Sequence, residues 1–144
     1  MNKNILITGG CGFIGSEAVR ILVNKGYKVY NFDKLSYASC NESLSDLPNE
    51  MYNFFHGDIY NKKSISEYIK NVEPLFILNF AAESHVDRSI DGPDEFINTN
   101  IVGTFNILDA SLKYFSTLSS DAKNFFKFVH ISTDEVYGSL KSDA

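Results

Sequence analysis

Two cysteines, three histidines and no tryptophan leave little material for several kinds of chemistry. Cys11 and Cys40 stand in unrelated contexts, so neither a disulfide framework nor a paired-cysteine zinc site is expected. Two lone thiols fit a reducing cytosol. No apolar run approaches the roughly 18 to 20 residues that span a bilayer, so no membrane association is expected. The first strand begins almost at Met1, leaving no room for a signal peptide, and a cytoplasmic location is the expectation. Positive charge is also short. Thirteen Lys and Arg against 18 Asp and Glu give a formal charge of −5, which is no platform for nucleic acid or anionic lipid. The 12 Phe and 8 Tyr are spread through the chain and read as core and rim filling, not as a base-stacking surface. What remains is 144 residues, 44% apolar and 22% charged, enough for one folded domain over residues 1–144.

Strand and helix patterns alternate from the start. Residues 3–8 (KNILIT) form a short apolar run, and Ile14, Ala18, Ile21, Leu22 and Lys25 follow at helical spacing up to Gly26. Residues 27–32 read as a second strand ending at Asp33, residues 34–50 as a polar loop, and residues 52–56 as a third strand. A helix is expected over residues 61–72, with Ile65, Tyr68, Ile69 and Val72 on one face. Residues 75–82 (LFILNFAA) are continuously apolar, as expected of a strand covered on both faces. Asp91, Gly92 and Pro93 open a long helix. Ile97, Ile101, Phe105, Leu108, Leu112 and Phe115 carry it to about Thr117, and residues 125–132 close the series as a fifth strand. Strands separated by helices imply a parallel sheet with right-handed crossovers.

Residues 8–15 read TGGCGFIG, which sets Gly10, Gly12 and Gly15 in a G-x-G-x-x-G frame. The loop follows a strand and opens an amphipathic helix, and Asp33 ends the next strand 18 positions after Gly15. That is the dinucleotide fingerprint in its required context. Glycine permits the tight reversal and lets backbone N–H groups approach a pyrophosphate, while the helix N-terminus favours the anion. Asp33 would accept hydrogen bonds from ribose hydroxyls and repel a 2′-phosphate, favouring NAD over NADP; Lys34 beside it could screen such a phosphate. Cys11 reads as a small filler rather than a nucleophile, since no base neighbours it. Asp58, in HGDI, could meet an adenine amino group or cap the following helix.

Two polar clusters lie at strand C-termini, where open α/β sheets bind ligands: AAESHVDRSI over residues 81–90 and STDEVYG over residues 132–138. Read from the residues alone, Asp134 and Glu135 are either a solvated turn or an acid and base sharing one pocket. His85 and Arg88 stay open, Arg88 as a candidate ion-pair partner. Together with TGGCGFIG these segments closely resemble dTDP-glucose 4,6-dehydratases of the extended short-chain dehydrogenase/reductase family, over essentially the whole chain. Asn79 and Phe80 depart from the histidine–leucine pair expected before Ala81.

The resemblance implies a Rossmann-type doubly wound parallel α/β sheet, with about five strands present and the sixth strand and sugar-nucleotide subdomain absent. It implies NAD as cofactor, dTDP-glucose as substrate, dTDP-4-dehydro-6-deoxyglucose as product and a homodimer in the full-length protein. By the same resemblance Thr133 would hydrogen-bond the sugar 4-hydroxyl, Asp134 would protonate the leaving hydroxyl and Glu135 would take the C5 proton. Ser84 would touch cofactor and sugar. Gly9, Gly12, Phe13, Ile14 and Gly15 would line the NAD site with Asp33, Lys34, Leu35 and Ser36. Asp58, Ile59 and Thr99 would join them, as would Phe80, Ala81, Ala82 and Glu83. The oxidation step of this superfamily uses a Tyr-x-x-x-Lys pair on one helix face. Tyr30/Lys34 and Tyr137/Lys141 match that spacing but fall at a strand end and in a loop. The 144-residue chain alone is therefore expected to be inactive, a nucleotide-binding module. A sibling epimerase or decarboxylase is disfavoured by AAESHVDRSI.

Overall fold

In a computed structural model, residues 4–139 are described. Five strands form one parallel sheet in the order β3-β2-β1-β4-β5. They are β1 (Asn4–Thr8), β2 (Lys28–Asp33), β3 (Tyr52–His56), β4 (Phe76–Asn79) and β5 (Lys127–His130). The first predicted strand thus holds from Asn4, Lys3 lying outside the described residues. β4 stops at Asn79, three residues short of the predicted end at Ala82, and β5 occupies only the middle of its predicted range.

Side chains alternate along a strand, so the inner strands of the sheet pack on both faces, while β5 at the edge is largely exposed. Ile5 and Ile7 point to the face packed by helix α1 (Phe13–Asn24) through Val19 and Val23. Leu6 points to the opposite face, where Ile65 and Ile69 of α2 (Lys62–Val72) meet Ile107 and Ala110 of α5 (Thr104–Thr117). α2 is started by Asn61, whose side chain accepts the Ser64 N–H at 3.1 Å. The cap suggested for Asp58 is therefore filled by Asn61; Asp58 accepts the Tyr60 N–H instead.

Two short helices went unread in the sequence, α3 (Val86–Asp91) and α6 (Ser120–Phe125), each six residues. The long predicted helix runs continuously from Pro93 to Thr117 as α4 (Pro93–Phe96), a π-wound segment (Ile97–Gly103) and α5. Its sheet-facing side carries Thr99, Gly103, Asn106, Ile107, Ala110 and Ser111. The apolar residues that betrayed the helix point to solvent: Ile97, Ile101, Phe105, Leu108 and Leu112 are 45% to 67% exposed. Among the described residues no helix is long and apolar enough to cross a membrane.

A polar line crosses the sheet at its C-terminal end. Thr8, Asn79 and His130 are register partners on β1, β4 and β5. The Thr8 hydroxyl donates to Asn79, whose amide reaches His130 Nδ1 at 3.0 Å. Asn79, the departure from the family pattern, is thus fully buried yet hydrogen-bonded on both sides.

Candidate functional site

The strand order reverses between β1 and β4, and a cleft of about 440 Å³ opens there along the C-terminal edge. Its floor is the glycine loop. Gly9 has φ +73°, and a Cβ built on it would stand 2.6 Å from the Ala81 backbone nitrogen. A Cβ on Gly15 would strike the Gly9 carbonyl oxygen, so strand, loop and helix close up only because both residues lack one. The cleft is lined by Gly9, Gly12 and Gly15, not by Gly10. This corrects the first glycine of the frame: Gly10 faces Asn31 of β2, whose Oδ1 accepts its N–H at 3.0 Å.

Gly12 is the N-cap of α1, without a side-chain cap and without an acidic residue in the first turn. The orphan N–H groups and the positive end of the helix therefore meet the cleft uncompensated by the chain itself. Phe13 and Ile14, in that first turn, are 95% and 64% exposed at its mouth.

Asp33 closes the other end of the cleft and is 5% exposed. Its carboxylate accepts the Cys11 N–H at 2.9 Å, the Leu35 N–H at 2.8 Å and the Ser39 hydroxyl at 3.1 Å. The chain's own donors thus fix its orientation. Leu35 stands in the left-handed region at φ 54°, a strained place for a side chain, and its N–H bond to Asp33 holds it there. Leu35 is exposed and does not line the cleft, whereas Asp33, Lys34, Ser36, Asp58, Ile59, Phe80, Ala81, Ala82, Ser84 and Thr99 do. Glu83 also lies outside the lining; it sits behind it, paired with Lys34.

Lys34 is the hub of this side. Its ammonium lies 2.8 Å from Glu83, 3.5 Å from Glu95 and 3.1 Å from the Thr99 hydroxyl. Burial opposes its charge, but the hydrogen bond and attraction of Glu83, with Asp58 and Glu95, outweigh burial and raise its pKa. Asn100, next to Thr99 in the π-wound segment, accepts the Glu83 N–H and donates to the Glu83 carbonyl, both at 2.8 Å. A π-wound segment beside a cleft is a common mark of a functional site.

Cys11 is buried, and burial first, then the nearby Asp33 charge, push its thiol up to about 11. It stays a protonated filler at neutral pH, as the sequence reading had it. After β5, Thr133 caps a single 3₁₀ turn (Asp134–Tyr137) that carries Asp134 and Glu135, and all three are exposed. The Thr133 hydroxyl accepts the Glu135 N–H at 3.3 Å and approaches Asp134 at 3.4 Å, which sets the two carboxylates on one turn beyond the strand end. Arg88 stacks over the Tyr37 ring at 3.8 Å. Of the two Tyr-x-x-x-Lys matches, Tyr30 packs against the core while Lys34 is held by Glu83; Tyr137 is 90% exposed and Lys141 lies outside the described residues. Sequence reasoning missed Asn31, Asn100, Ala38, Ser39 and Gly57. An asparagine amid apolar residues in a buried strand was the one available signal, at Asn31.

Comparison with known proteins gives these residues a context. The family model described as GDP-mannose 4,6 dehydratase matches residues 6–144. The dTDP-glucose 4,6-dehydratase of Salmonella typhimurium is 54% identical over 138 residues, which are 94% of this chain and 38% of that protein. The corresponding protein of Neisseria gonorrhoeae is 49% identical over 140 residues, 96% of this chain and 40% of that one. Among solved structures, a dTDP-glucose 4,6-dehydratase from Streptomyces venezuelae with NAD and TYD bound superimposes with a TM-score of 0.80 at 38% identity. It covers 96% of this chain and 42% of its own. UDP-glucose 4-epimerase from Thermotoga maritima gives 0.79 at 31% identity over 96% and 41%. The chain thus spans about two fifths of the length of the relatives it matches.

Proposed function

Because the chain belongs to the family described as GDP-mannose 4,6 dehydratase, we propose that the protein carrying it binds NAD and dehydrates dTDP-glucose to dTDP-4-dehydro-6-deoxyglucose. The observation that supports the nucleotide part most is one alignment of features. The uncapped start of α1, the glycine loop and the buried Asp33 all meet at the strand-order reversal. A pyrophosphate suits the orphan N–H groups, and ribose hydroxyls suit a carboxylate already oriented by three donors. The sugar nucleotide is drawn from the relatives: among solved structures identity is 38% with a dTDP-glucose 4,6-dehydratase and 31% with the epimerase, and the curated dehydratases reach 54%.

NAD, when bound, supplies the acceptance of hydride from sugar C4 and its return at C6. The chain's own residues handle the protons of the elimination, while the proton of the 4-hydroxyl falls to the superfamily's Tyr-x-x-x-Lys pair, which neither spacing match here supplies. Thr133 hydrogen-bonds the 4-hydroxyl, and Ser84 contributes a second hydroxyl at the cleft wall. Once C4 is a ketone the C5 proton is acidic; Glu135 removes it, Asp134 protonates the departing C6 hydroxyl, and Glu135 returns its proton to C5 when C6 is reduced. Elimination needs one ionised and one protonated carboxyl together, which two adjacent residues on one turn can provide.

The same reading includes a homodimer. The exposed stripe from Ile97 to Leu112 is supporting evidence, since a row of large apolar side chains on one helix face suits a second copy of itself.

Titration of the full natural chain tests the cofactor: NAD binds more tightly than NADP, and Asp33→Ala narrows the gap. Equal or tighter NADP binding by the unmutated protein refutes the assignment. For the chemistry, Glu135→Gln lowers product formation roughly 10²- to 10⁴-fold; turnover at the unmutated rate removes Glu135 from the role of base.

A further inference from the structure

The lysine next to Asp33 poses a problem for a site meant to reject a 2′-phosphate, because a cation at the end of β2 is what such a phosphate would seek. The structure answers it with Glu83. We propose that Glu83 is a positioning residue for cofactor choice: it holds the Lys34 ammonium away from the 2′ position, so that the charge of Asp33 acts there unopposed. This inference rests on the NAD reading and deepens it.

The geometry carries the argument. The Lys34 Nζ to Glu83 Oε1 distance is 2.8 Å, and the Glu83 side chain is only 10% exposed. A carboxylate that secluded cannot release its counter-ion cheaply. Thr99, itself buried, accepts from the same ammonium at 3.1 Å and draws it toward the π-wound segment. Glu95 lies farther, at 3.5 Å, and its side chain is 73% exposed, so it is the weaker partner. Asn100 holds the Glu83 backbone through both its N–H and its carbonyl. Those two bonds do not involve the carboxylate and survive its neutralisation, so Glu83→Gln keeps the loop while removing the charge that detains Lys34.

The quantity to measure is the ratio of NADP to NAD dissociation constants, by calorimetric titration of the full natural chain with each dinucleotide. A merely structural role would weaken both dinucleotides alike and leave the ratio alone. Glu83→Gln is expected to shift it toward NADP roughly tenfold, the worth of one charge-assisted contact. Adding Lys34→Met to Glu83→Gln removes that gain. A shift below about threefold, or a gain that persists without Lys34, overturns the proposal. If the unmutated protein binds neither dinucleotide, the proposed function fails and this inference falls with it; if it binds NAD and the ratio does not respond, the inference alone fails.

Discussion

Asn31 and Gly10 share one space: the Asn31 side-chain oxygen that accepts the Gly10 N–H at 3.0 Å stands where a Gly10 side chain would begin. The Asn31 amide meanwhile donates to Tyr52 at 2.9 Å and to Cys11 sulfur at 3.2 Å. One buried side chain therefore ties the glycine loop to β2 and β3. Asn31→Ala strips the partners from Gly10 and Tyr52 and is expected to cost about 1–3 kcal/mol per orphaned group. Gly10→Ala collides with Asn31 and is destabilising alone. In the double variant the collision is gone, so chemical denaturation should show a loss smaller than the sum of the singles by about 1 kcal/mol. Strict additivity would refute the coupling.

Gly103 meets the cleft wall from the helix side. A Cβ there would approach Ile59 Cγ1 to 2.6 Å. Gly103→Ala should therefore destabilise by about 1–3 kcal/mol through overpacking, and Ile59→Ala, which removes both Cγ1 and Cδ1, should cost less in that background than alone. A neutral Gly103→Ala in thermal denaturation would show that the contact yields freely.

Alkaline pH provides a separate test. Burial raises Cys11 from 9.0 to about 11 and Tyr52 from 10.0 to about 12, so the fold prefers both groups neutral. That stabilisation is complete below the unfolded values and fades as pH rises toward the folded ones. Stability should hold near pH 8 and fall from about pH 9 upward, Cys11 acting between 9 and 11 and Tyr52 between 10 and 12. Cys11→Ala should flatten the lower part of that slope by up to one proton's worth. An unchanged slope would mean the thiol titrates normally.

The solvent-facing stripe predicts assembly. Ile101→Asp, at a position 64% exposed, should convert a dimer of the full natural chain to monomer in light scattering. The protomer's stability should change by no more than about 0.5 kcal/mol, as for most surface substitutions. A dimer that survives the charge is built elsewhere.

The repeating elements were readable because their periods are local. The short apolar run of Ile5, Leu6 and Ile7 marks β1, and the spacing of Ile65 and Ile69 marks α2. α3 and α6 are six residues each and mostly polar, VDRSID and SDAKNF, so they carry no apolar period to detect. The glycine frame was ambiguous because Gly9, Gly10 and Gly12 crowd together; Ala81 and Asn31, distant in sequence, decide which of them faces the cleft. The same holds for the site. Asp33 at a strand end is visible in the sequence, but the link from Lys34 to Thr99 spans 65 positions and that from Asn100 to Glu83 spans 17. No local pattern encodes either.

The π-wound stretch from Ile97 to Gly103 makes the length of the chain itself a constraint. Each residue turns an α-helix by about 100° and a π-wound one by less, because its hydrogen bonds reach one residue further, so rewinding the stretch as α-helix without removing a residue would rotate everything downstream by roughly that angle. Ile107 and Ala110 would leave the sheet, and Asn106 would lose the carbonyls of Ile59 and Tyr60 that its amide now reaches. A substitution in this stretch is therefore judged by whether it keeps the π winding, since losing that winding at constant length would exchange the wet and dry faces of α5 at a stroke.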